Sequence, residues 1–76
     1  MTTTERQDAL LPAVSHADDA ARMCGQAIAA LDTGTATLIA RSVPHEALDA
    51  AATYLKEAKA KLYAADKLMR QVANGE

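Results

Sequence analysis

An all-α antiparallel hairpin is the fold this sequence predicts, and three observations predict it. Leu48, Leu55, Leu62 and Met69 recur every seven residues, and so do Ala51, Ala58, Ala65 and Val72. An apolar repeat kept in register over four heptads describes a helix lying along another helix. β-branched and aromatic residues never alternate over a useful length, so strands have no signal. A short break at Ser42-Val43-Pro44 separates this stretch from an earlier one with similar spacing. So short a link makes the two helices antiparallel neighbours.

The elements follow in order within a single domain, 1–76. Residues 1–14 read as an N-terminal arm or short helix. Thr2 and Glu5 have capping-box spacing, and Pro12 disfavours helical geometry at Leu11, which ends any helix there. Ser15 is the best N-cap in the chain, with Asp18 and Asp19 in the turn where negative charge suits a helix start. It opens helix A, residues 15–41, with Ala21, Cys24, Ile28, Leu31 and Leu38 as the inward positions. Asp32-Thr33-Gly34-Thr35 is its soft spot, since Gly costs about 1 kcal/mol against Ala within a helix. The helix either breaks there or passes through; passage is favoured, because the spacing resumes in phase at Leu38. Pro44 starts helix B, residues 44–73, and Asn74-Gly75 stops it. Glu57–Lys61 and Asp66–Arg70 are spaced as i,i+4 ion pairs.

Composition says how such a hairpin is stabilised. Half of the 76 residues are hydrophobic, but 19 of them are Ala, and there is no Phe or Trp. Alanine buries little surface, so one hairpin has little hydrophobic gain to set against its ordering entropy. Self-association is the expected compensation: a homo-oligomer in which hairpins assemble into a helical bundle. Tyr54 and Leu68, with Ala47, lie on a flank of the seam and form the natural surface for it.

Charge and cysteine usage narrow the function. A net charge of −2 without a reading-head motif argues against duplex nucleic acid as a partner. No apolar run approaches the ~20 residues that cross a bilayer, and Met1 to Glu5 lack the features of a signal peptide. A lone Cys24 fits a reducing compartment. The expected location is therefore cytoplasmic, away from membranes. His16, His45 and Cys24 are too few and too scattered for a metal site or a Cys–His pair, so neither a cofactor nor an enzymatic activity is expected. The one surface with chemical character lies late in helix B. Lys56, Lys59, Lys67 and Arg70 surround Tyr63 at spacings of four and seven residues. An aromatic plate ringed by cations can stack a base and hold its phosphates. The plainer reading is a solvated lysine-rich face that suits the C-terminal end of a helix.

Ala51-Ala52-Thr53-Tyr54-Leu55-Lys56-Glu57-Ala58 has the pattern A-x-T-x-L-x-E-A. It resembles the second long helix of the small phage anti-CBASS sponge proteins. Val14, Asp19-Ala20, Gly25 and Ala30-Leu31 echo the first, so that about a third of the chain is touched. The resemblance implies a short α-helical oligomer that sequesters cyclic di- or trinucleotide immune signals between subunits without cleaving them. It implies a viral, anti-defence role in a host cytoplasm. Thr53, Leu55, Glu57 and Ala58 match the pattern; Lys59-Ala60-Lys61, Ala64 and Asp18 depart from it, and no ligand contact carries over. Ala47-Leu48-Asp49 is similar to the helix start of small two-helix phage proteins that inhibit host regulators by contact. The leading expectation is thus a nucleotide sponge. The alternatives are an inhibitor or adaptor docking an apolar helix edge on a host protein, and a purely structural assembly module.

Overall fold

The computed structural model describes residues 1–75. Two helices, α1 (Thr3–Ala40) and α2 (Glu46–Ala73), lie antiparallel in a hairpin measuring 59 × 15 × 10 Å. Among the described residues there is no strand.

α1 differs from the sequence expectation at its start. The N-terminal arm and helix A are one helix, which runs unbroken through Pro12 and Ser15. Thr2 is the cap, and its hydroxyl accepts from the Glu5 N–H at 3.1 Å. Ser15, the expected cap, sits a third of the way along. Proline lacks the N–H that would reach the carbonyl of residue 8, and its ring crowds that turn. The apolar column explains why the helix nevertheless continues. Leu10, Ala17, Cys24, Leu31 and Leu38 form one heptad column, and Val14, Ala21, Ile28 and Thr35 the other; all are buried or half-buried. Helical geometry at 3–14 lets Leu10 and Val14 join that seam, which an arm would leave exposed.

The soft spot at Asp32–Thr35 is helical throughout. The Thr33 hydroxyl donates to the Ala29 carbonyl at 3.2 Å and that of Thr37 to the Thr33 carbonyl at 3.1 Å. Each threonine thereby satisfies its own hydroxyl without leaving the helix.

α1 ends in a Schellman turn. Val43 N–H donates to the Leu38 carbonyl at 3.0 Å, and Ser42 N–H to that of Ile39 at 2.9 Å. Ser42 occupies the left-handed position, φ 60°, that glycine usually fills. α2 then starts two residues later than expected, at Glu46, so that Pro44 lies in the link. Gly75, φ 79°, follows its last turn, as the Asn74-Gly75 signal predicts.

The seam of α2 combines one expected column with one unexpected one. Leu48, Leu55, Leu62 and Met69 are half-buried. The second column begins at Ala51 and Ala58, but Ala65 and Val72 are exposed. In their place Ala52, Lys59, Asp66 and Ala73 run along the seam. Positions i+3 and i+4 both neighbour residue i, and in α2 the i+4 column faces α1 more closely. Among the described residues only Val14, Ala21 and Ala73 are buried, and each keeps a few per cent of its surface exposed. Two helices in one layer cannot surround more.

Candidate functional site

Two surfaces carry the residues that sequence reasoning selects, and they lie on different sides of α2. The first contains Tyr63 and its cations. Helical spacing puts Lys56, Lys59, Tyr63, Lys67 and Arg70 on one flank, and Tyr63 is 57% exposed. Lys59 is half-buried, and its Nζ lies 5.9 Å from the Tyr63 ring centroid, within cation–π range. The same Nζ passes close to α1: a Cβ built on Gly25 would stand 3.3 Å from it. Gly25, which has no side chain, thus leaves the corridor through which Lys59 reaches the seam's edge. Lys56 and Lys67 are exposed.

Arg70 is engaged elsewhere. Its Nε donates to Asp66 Oδ2 at 2.9 Å, and a terminal nitrogen donates to Asp18 Oδ2 on α1 at 3.1 Å. The Asp66 hydrogen bond and charge, and then those of Asp18, raise its pKa above the ordinary arginine value. The basic stripe therefore consists of three lysines and a tyrosine, with the arginine neutralised as an interhelical clamp. Sequence spacing gave the Asp66–Arg70 half of that clamp. Asp18 lies 52 residues away and had no local signal. Glu57 and Lys61, the other expected pair, make no ion pair among the described residues; both are exposed.

Beside the clamp a groove of about 300 Å³ opens at the free ends of the helices. Leu10, Leu11, Val14 and Ala73 contribute its apolar lining, and Gln7, Asn74 and Arg70 its polar groups. The Gln7 amide donates to Asn74 Oδ1 at 3.4 Å, and Arg6 reaches the Val72 carbonyl at 3.5 Å. Arg6 places positive charge on the last carbonyls of α2, where the helix dipole favours it. This groove exists because α1 continues through Pro12, and sequence reading that ended the helix there missed it.

The second surface is apolar. Tyr54, Leu68 and Val72 are 69%, 62% and 53% exposed along the opposite flank of α2, with Ala47 and Ala65 exposed among them.

The remaining chemistry-bearing residues stand apart. Cys24 is half-buried in the seam, His16 is exposed, and His45 lies 3.5 Å from Asp49 at the start of α2. Among the described residues no three His, Cys, Asp or Glu converge as metal ligands, and no helix is long and apolar enough to cross a membrane. Comparison with protein-family models, curated proteins and solved structures finds no match to this chain.

Proposed function

We propose that this chain is a non-enzymatic binding protein that acts as a homo-oligomer and sequesters a cyclic di- or trinucleotide, in the manner of the phage sponge proteins whose helix pattern Ala51–Ala58 resembles. The observation that carries this reading is the exposed Tyr63 ring with the Lys59 ammonium over it and Lys56 and Lys67 free beside it. A base stacks on such a ring, and the lysines neutralise its phosphates. Arg70 contributes less, because its Nε and one terminal nitrogen already serve two carboxylates. Such a ligand is met in the host cytoplasm.

Ligand-dependent thermal unfolding tests it. A nucleotide present at 100 times its dissociation constant adds about 2.7 kcal/mol per site, which shifts the midpoint visibly. With a panel of cyclic di- and trinucleotides, at least one raises the midpoint. Tyr63→Ala and Lys59→Glu abolish that rise while helicity is retained. No shift with any member of the panel would sink the nucleotide reading.

The exposed Tyr54 and Leu68 favour a second reading, in which this flank docks on a host protein as an inhibitor's would. A host protein captured by the wild-type chain and lost with Tyr54→Ala would support it.

A further inference from the structure

We propose that the alanine-lined side of the hairpin is its self-association surface, covered in solution by the same side of a second copy. This rests on the oligomeric reading above and adds which face assembles.

The hairpin has two broad sides. One carries the Asp18–Arg70 bridge and the approach of Lys59 to Gly25. Because the helices are antiparallel, the flanks that do not meet there share the other side. On α1 this flank includes Ala20 and Ala27, each one residue before an inward residue, Ala21 or Ile28. On α2 it includes Ala58 and Ala65, which precede Lys59 and Asp66 in the same way. Leu68 follows Ala65 by three residues and Tyr54 precedes Ala58 by four, so both project from this side's outer edge. The surface thus holds small-residue depressions and large apolar ridges together. That combination is what a two-fold, isologous contact requires, since each copy supplies ridges to the other's depressions. Rows of alanine also let helix axes approach toward the lower end of about 8–10 Å.

The area agrees. The chain exposes 5431 Å². A compact 8.0 kDa monomer exposes about 4,500 Å². The excess, about 1,000 Å², belongs to the elongated molecule as a whole, and it is enough to supply the roughly 800 Å² that each partner buries in a standard interface. A second hairpin on this side also supplies the second layer that a 10 Å-thick molecule lacks.

Sedimentation equilibrium of the full chain between about 1 and 100 µM, which brackets a micromolar dissociation constant, tests the assignment. Wild type populates a dimer. Leu68→Glu and Ala20→Glu each raise the dissociation constant by at least about tenfold, that is, about 1.4 kcal/mol. Ala60→Glu, on the other side of α2, leaves it unchanged. Leu68→Ala, a good helix former, shifts it in the same direction by a smaller factor, so the result does not depend on a charged variant that fails to fold. A dimer indifferent to Leu68→Glu and Ala20→Glu overturns this face while leaving the oligomeric reading intact. A wild-type monomer throughout the range overturns both, and the face then awaits another partner. Neither outcome bears on nucleotide binding at Tyr63, which thermal shift reads separately.

Discussion

Arg70 shows how one side chain can serve the fold instead of the site. Its fork joins Asp66 on its own helix to Asp18 on the other. The Asp66 side chain is only 17% exposed, and its Oδ1 is buried without a partner among the described residues. Arg70 is itself half exposed, so its removal takes the charged partner from the less accessible Asp66 carboxylate while solvent moderates the loss. Arg70→Ala therefore lowers the thermal midpoint followed by circular dichroism. Arg70→Lys recovers only part of the loss, because a point ammonium cannot span two carboxylates as the planar fork does. An unchanged midpoint in Arg70→Ala would mean that water alone suffices for Asp66. The pH dependence follows from the raised guanidinium pKa. Its stabilisation is complete below the ordinary arginine range and is lost only as pH climbs through the higher folded value. The arginine thus contributes no pH dependence near neutrality. Its helical neighbours were legible because i,i+4 spacing is local. Its partnership with Asp18 was not, because a link across 52 residues is set by the register of the hairpin.

At the level of the helix, local preference and seam burial compete, and Pro12 marks where burial wins. The rule that proline disfavours helix at the preceding residue is sound locally and ended the expected helix at Leu11. It gives no weight to Leu10 and Val14, which gain cover only if the heptad column continues. Pro12→Ala restores one backbone hydrogen bond and removes the ring's crowding. It should stabilise the chain by up to about 3 kcal/mol in urea unfolding, the usual cost of an interior helix proline. A neutral or destabilising result would show that Pro12 has no strain to relieve. The same competition explains the seam of α2. The leucine column was legible, since a strict seven-residue repeat of large apolar groups has no other use at this length. The second column was not. Ala51 and Ala58 suggested Ala65 and Val72, but the straight helix turns the i+4 positions inward, so Lys59 and Asp66 line the seam instead. Lys59 suits that place because its stem covers apolar surface while its ammonium reaches the rim at Tyr63.

The whole molecule is long, thin and poorly covered. Its radius of gyration is 17.3 Å, whereas a compact chain of this length has about 11 Å. Among the described residues three are buried, two of them alanine, a small reserve against the entropy of ordering 66 helical residues. Tertiary contacts normally supply most helix stability, so these two helices need contacts that one hairpin does not offer. Folding and association should then be one equilibrium, in which the folded state is drawn by the second copy. The thermal midpoint of such a chain depends on its own concentration. A hundredfold dilution removes about 2.7 kcal/mol of mass-action stabilisation at 25 °C, and helicity falls with it. The unit that unfolds is a dimer of two 76-residue chains, for which each kcal/mol corresponds to about 2–4 °C, so the midpoint should drop by about 5–11 °C. Thermal melts at 1 and 100 µM, followed by circular dichroism, measure this directly. Superimposable melts would mean that the hairpin is stable alone and that Ala-on-Ala packing at close approach contributes more than its area suggests.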